Sequence, residues 1–274
     1  MKVKWNSEVD DDLRPRPAEG LAALFHENTK LAPEVARQQA ASLVMSPLEK
    51  FISSRGFRQH PRLPSVPLPE CQPAEARLGE VLRSRRSRRE LQGPITLLQL
   101  SALLQQALGP TLVYQTEPEG ITQAIRAWPS AGGLYPLDTY VVAQRVDGLD
   151  PGVYHYNIAT VALERLPTRG PGELLRDGFF WQEWVTTAAC AILLVASFER
   201  TLAKYGERGY RLVLLDAGHA AQNVLLVAEQ ERVSACAVAG FCDDALAADL
   251  DIDGVDEAVV HAIILGTPEG ASIG

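Results

Sequence analysis

Pro129-Ser130-Ala131-Gly132-Gly133-Leu134-Tyr135-Pro136 is the stretch on which the fold reading turns. Two adjacent glycines sit between prolines, just before the strand-like run Thr139-Tyr140-Val141-Val142-Ala143. Lacking a Cβ, paired glycines accept positive φ and let backbone approach a flat ligand closely. Upstream stands Arg85-Arg86-Ser87-Arg88-Arg89, a cationic spot suited to a small anion. Taken singly, the first is an ordinary turn and the second a solvated helix face. Together they suggest a planar, phosphorylated ligand.

Bulk properties narrow the class. The 274 residues are 46% hydrophobic and 22% charged, an ordinary globular composition that permits one or two domains. Net charge is −8, from 34 acidic and 26 basic side chains, which argues against a general nucleic-acid surface. No apolar run approaches the ~18 residues of a membrane span, and Met1 to Glu8 lacks the apolar core of a secretory signal. A cytoplasmic protein is the plain expectation. Cys71, Cys190, Cys236 and Cys242 form no CxxC pair, and the five histidines form no HxH or HExxH, so no metal site is expected.

Two textures divide the chain. Residues 1–76 read as an N-terminal extension wrapped on a core, with helical patterns over 18–53 and a connector punctuated by Pro61, Pro64, Pro67, Pro69 and Pro73. Residues 77–274 read as the main domain. A helix is expected over 75–86, and another over 96–108 with Thr96 as N-cap and Gly109 as its stop. Residues 110–128 read as a loop, and strands are expected at 139–146, 153–156, 190–197 and 258–265. Residues 211–231 form the longest helix candidate, apolar around most of its girth and so suited to a core or a subunit interface. One polar stripe crosses it, Asp216, His219 and Asn223, with His219 read as a satisfied core or interface histidine. Interspersed helices and strands indicate a mixed α/β or α+β sheet sandwiched by helices.

Several motifs occur in a fixed order: Arg85-x-Ser87-x-Arg89, the Pro129–Pro136 loop, Gly152-Val153-Tyr154-His155-Tyr156, Lys204-Tyr205-Gly206-Glu207-Arg208-Gly209-Tyr210-Arg211, Ala217-Gly218-His219-Ala220-Ala221-Gln222-Asn223, and Ala239-Gly240-Phe241. This order resembles the SagB-type dehydrogenase branch of the nitroreductase-like flavoproteins, the azoline oxidases of thiazole and oxazole peptide biosynthesis, over residues 78–266. Leu24 to Lys30 is similar to the N-terminal extension of that branch.

The resemblance implies an α+β fold with a central mixed, mostly antiparallel sheet flanked by helices. It also implies noncovalent FMN and a homodimer whose interface builds the flavin sites. Arg85 and Arg89, four apart and on one face if helical, would converge on the FMN phosphate with Arg86 beside them, and Ser87 would add a hydroxyl. Arg88 is read as solvent-exposed. The loop with Ser130, Ala131, Gly132 and Gly133 would reach the flavin; where nitroreductases carry an asparagine this chain has Gly133, leaving Ser130 and loop amides to make the contact. Ala239-Gly240 is similar to the backbone pair near flavin N5. After the last strand the chain lacks the basic residue common in nitroreductases, which shifts phosphate binding toward Arg85, Arg89 or Arg211.

Lys204-Tyr205 matches the pair associated with azoline oxidation. Aromatising a thiazoline removes a proton and a hydride. A tyrosine of pKa ~10 is a poor base unless a nearby ammonium favours tyrosinate, whereas a buried lysine can itself become one. Consecutive residues diverge on a helix or strand, so both reach one site only if Gly206 and Gly209 bend the backbone. The implied partners are a peptide-derived substrate and a cyclodehydratase or other biosynthetic protein. An NAD(P)H-dependent nitro- or quinone-reductase activity and an inactive flavin-binding scaffold are the alternatives.

Overall fold

The computed structural model describes residues 20–31, 33, 58–72, 75–115, 122–180 and 182–270. The chain divides into two compact units, residues 1–44 and 45–274. The first contributes one described helix, α1 (Leu21–Asn28).

The second unit is built on strands β1 (Ser65–Pro67), β5 (Leu137–Ala143), β7 (Gly152–Asn157), β8 (Ala162–Arg165), β9 (Cys190–Ser197), β10 (Ser234–Val238) and β11 (Glu257–Gly266). They form one sheet in the order β1-β8-β7-β5-β9-β11-β10, with every pairing antiparallel. The proline-punctuated connector thus supplies an edge strand.

Two short pairs lie outside this sheet. Strands β2 (Ile95–Thr96) and β6 (Val146–Asp147) pair in parallel, and β3 (Pro110–Gln115) with β4 (Thr122–Arg126) makes an antiparallel hairpin. The hairpin replaces the loop expected over 110–128. Its side chains at Leu112, Val113 and Ile125 are largely exposed, so no inward apolar alternation marks it in sequence.

The unbroken apolar run of β9 reads as a strand covered on both faces, and it is one. Cys190, Ile192, Leu194 and Ala196 point into one core, and Ala191, Leu193 and Val195 into the other. The first core lies under α3 (Leu97–Ala102), which loosens into a π-helical turn at Leu103–Ala107, and under the long α7 (Gly209–Gln230). The second lies under α4 (Pro171–Gly178) and α8 (Asp243–Leu250), with Val185 of the short α5 (Glu183–Thr186). Each fully buried Leu or Ile in these layers stabilises the fold by about 1.5–3 kcal/mol.

Thr96 caps α3 as expected, its hydroxyl accepting from Gln99 N at 3.1 Å while Gln99 Oε1 accepts from Thr96 N at 2.9 Å. The preceding helix, α2 (Leu78–Ser84), is shorter than expected and stops before the arginine cluster. The chain is captured there by a tertiary contact: Arg88 N donates to Ala235 O of β10 at 3.0 Å. No described helix is long and apolar enough to cross a membrane.

Candidate active site

Two loops leave the main sheet at the same end. Leu137 opens β5 opposite Ala196 near the close of β9, and Ser197 pairs with Glu257 at the start of β11. Strand β10 runs from Ser234 opposite Gly266 to Val238 opposite Ala262, toward that same end, and delivers Ala239 and Gly240 there. Three strand spacings, about 14 Å, separate β5 from β10.

The loop before β5 is tightly wound. Gly132, Gly133 and Tyr135 have φ of 63°, 66° and 46°, the left-handed region that glycine enters freely and tyrosine does not. Gly133 N donates to Ser130 O at 3.0 Å and Leu134 N to Ala131 O at 3.3 Å. Ser130 Oγ accepts from Tyr135 N at 2.9 Å and donates to Asp216 Oδ2. Ala131 N donates to Asp216 Oδ1 at 3.4 Å. Asn223 Nδ2 holds the loop's approach at Ala127 O, 3.1 Å away. The polar stripe of α7 therefore grips this loop, except at His219, which is exposed in the single chain and so lies outside its core, leaving the interface half of the expectation. Ser130 spends its hydroxyl on the loop's own architecture. Burial pushes the Asp216 carboxyl up, against the hydrogen bonds from Ser130 and Ala131.

Behind the loop lies buried charge. Arg126 packs against the Trp128 and Tyr135 rings, 5.2 and 5.5 Å from their centroids, and burial lowers its pKa to about 10 while Asp138 opposes. Arg200 donates to Tyr135 O at 3.4 Å and Asp138 Oδ2 at 3.2 Å, and Arg58 lies 3.4 Å from the same carboxylate.

Lys204 and Tyr205 occupy the last turn of α6 (Glu199–Tyr205), which Gly206 ends with φ 56° and ψ −152°. A Cβ built on Gly132 would lie 2.7 Å from Tyr205 Oη and 2.9 Å from Lys204 Nζ. Both tips therefore meet the glycine loop. The bend at Gly206 follows the pair instead of separating it: side-chain length, not a backbone kink between them, lets adjacent helical residues converge. Burial, and then the Asp216 charge, raise the Tyr205 pKa. Both effects work against the tyrosinate that an adjacent ammonium would favour.

The arginine cluster follows α2 in non-helical chain, so the four-residue spacing of Arg85 and Arg89 defines no helical face. Arg88, expected in solvent, donates to Glu229 at 2.6 and 3.2 Å. Arg86 donates to Arg83 O and Arg85 O at 2.7 and 2.8 Å, and the Arg89 guanidinium lies 5.4 Å from the Trp184 ring centroid. Ser87 is exposed, Arg85 half-buried, and Arg211 half-buried in the first turn of α7. Gln182 Nε2 donates to Gly240 O at 2.6 Å, so residues 182–184 tie the arginine segment and the Ala239–Gly240 loop to one neighbourhood. Ala239 and Gly240 are exposed, and a Cβ on Gly133 would meet open space. Accessible backbone at two loops and nearby guanidinium groups suit a flat, anionic ligand.

A second polar cluster was invisible in sequence because it forms across strands. His155 and Glu164 are register partners, and Glu164 Oε2 lies 2.9 Å from both His155 Nδ1 and His60 N. Asn157 Nδ2 donates to Oε1 at 2.7 Å. Although burial works the other way, these donors hold the Glu164 carboxyl below its ordinary range. His60, His155 and Glu164 have metal-ligating chemistry, and through its three contacts Glu164 also clasps residue 60 to the sheet. A cavity of 610 Å³ opens beside it, lined by Arg58, His60, Tyr140, Thr168 and Asp249, among others, and by nothing from the glycine loop, α6 or Ala239–Gly240.

The nitroreductase family model matches residues 82–267. The chain is 34% identical over 180 residues to a protein named as a nitroreductase from Methanocaldococcus jannaschii, covering 65% of this chain and 85% of that one. It is 32% identical over 133 residues to the microcin B17-processing protein of Escherichia coli, covering 47% and 49% respectively. A crystal structure of a nitroreductase from Anabaena variabilis superposes with a TM-score of 0.66 at 27% identity, over 88% of this chain and 45% of that one. The chain thus spans about half the length of the last two.

Proposed function

This chain belongs to the nitroreductase family, and from that premise we propose that it is an FMN-dependent dehydrogenase of the SagB-type branch, oxidising thiazoline or oxazoline rings in a peptide to thiazole or oxazole. The observation that carries this reading is the meeting of Lys204 Nζ and Tyr205 Oη at Gly132. The similarity to a microcin-processing protein supports a peptide substrate and a biosynthetic partner such as a cyclodehydratase.

FMN, when bound, supplies a two-electron acceptor, with molecular oxygen as the final oxidant. Arg85, Arg86 and Arg89, with Ser87, would hold its phosphate, and Arg211 is a further cation for it. The amides of Ala239 and Gly240, and the backbone of Ala131, Gly132 and Gly133, would border its ring. With Ser130 committed to Asp216, the loop offers backbone more than side chain. Lys204 Nζ and Tyr205 Oη, both at Gly132, are the two groups of this site placed to handle the ring proton and to orient the azoline by hydrogen bonding. The exposed side of α7, with Leu214, Leu215 and Gly218, and the bare hairpin face favour a homodimer in which a second copy completes the flavin sites.

Lys204→Ala and Tyr205→Phe test the reading. Each is expected to lower azole formation by about 100-fold or more while FMN content stays at the wild-type level. Wild-type azole formation by both variants would overturn it.

A further inference from the structure

Asp216 lies on α7, outside the motifs that point to flavin or substrate, yet it is only 4% exposed and directed at the glycine loop. Its two oxygens take two different loop donors, Ser130 Oγ and Ala131 N. Ser130 Oγ in turn receives Tyr135 N, so one carboxylate holds both limbs of a turn containing three left-handed residues. The middle of that turn, Gly132, is where Lys204 and Tyr205 converge. Burying a carboxylate is unfavourable unless its partners compensate, and a purely apolar residue could fill the same core position at less cost. His219, one turn along α7, is exposed.

We infer that Asp216 is a positioning residue that clamps the Ser130–Tyr135 turn, setting the distance between Gly132 and the Lys204–Tyr205 pair. This rests on the reading of that pair as the reacting groups. Asp216 itself touches neither substrate nor cofactor in this account. Without the clamp, the turn relaxes and the two tips lose the surface that fixes them.

The test compares Asp216→Ala and the isosteric Asp216→Asn by hydrogen exchange in FMN-free protein, and by azoline turnover in FMN-loaded protein. In Asp216→Ala, the amides of Ala131, Gly133, Leu134 and Tyr135 should exchange about tenfold faster or more, with those of β9 unchanged. kcat should fall about 100-fold with KM within threefold. Asp216→Asn keeps an acceptor for Ala131 N and a polar partner for Ser130, so it should recover part of both losses. Unchanged loop exchange in both variants overturns the clamp, as does a loosened loop with wild-type kcat. Should Asp216→Ala fail to fold, Asp216→Asn decides by the same two readouts. The exchange arm requires neither azoline nor FMN. If Lys204→Ala proved fully active, the functional reading would fail while the exchange data still judged the clamp.

Discussion

Replacing Gly132 by alanine should separate two effects that the glycine loop combines. At φ 63° an alanine pays the left-handed penalty, about 1 kcal/mol, which in a chain of this size lowers Tm by about 3 °C. The added Cβ also requires Tyr205 Oη and Lys204 Nζ to retreat by about 0.5–0.7 Å to reach ordinary contact. Both are flexible tips, so the fold tolerates the shift, but displacing reacting groups by this much costs about 10- to 100-fold in turnover. Gly254→Ala, away from the site, is the matched control. Its φ is 74° and its Cβ would make only ordinary contact with Ala247, so the same strain arises without touching Lys204 or Tyr205. Differential scanning fluorimetry should show similar losses of Tm for both variants, and turnover at saturating FMN should fall only for Gly132→Ala. Equal turnover in the two would show that Lys204 and Tyr205 do not depend on Gly132, and would refute the reasoning.

The arginine cluster makes two further predictions. Arg85→Ala should weaken FMN binding about tenfold, measured by quenching of free-flavin fluorescence, whereas Arg88→Ala should leave it unchanged because Arg88 is engaged with Glu229. Arg88→Ala should instead cost about 0.5–1 kcal/mol of stability, since the pair is partly solvated. Its hydrogen bond holds the Glu229 carboxyl below the ordinary 4.5. A depressed folded pKa contributes stability above the unfolded value and loses it as pH falls through the folded one. The Tm difference between wild type and Arg88→Ala should therefore be full above pH 4.5 and shrink below it; a difference that grows on acidification would contradict the pairing.

What the sequence makes legible here is what local periodicity encodes. β9 announces itself as an apolar run, α7 as a long run apolar around most of its girth with one polar stripe, and Thr96 as an N-cap. Tertiary capture defeats local reading at Arg85–Arg89, where pairing of Arg88 N with Ala235 O draws the chain out of the helix that its propensity favours. The β3–β4 hairpin hides because its apolar side chains face outward, without a buried alternation to reveal it. At the site, Lys204, Tyr205 and the glycine loop each stand out as motifs, but their meeting at Gly132 is a property of the fold. Asp216 is visible only as one member of a polar stripe; its partners in the loop lie far away in sequence. The His155–Glu164 pair needs strand register before it can be seen at all.

The most direct test of the central claim is anaerobic mixing of the FMN-loaded protein with an azoline-containing peptide or, separately, with NADPH, following flavin absorbance and peptide mass. The account predicts that the peptide bleaches the flavin and loses two hydrogens as the azole forms, while NADPH bleaches it slowly or not at all. Rapid bleaching by NADPH with no change in the peptide would contradict it and assign the site to reductase chemistry.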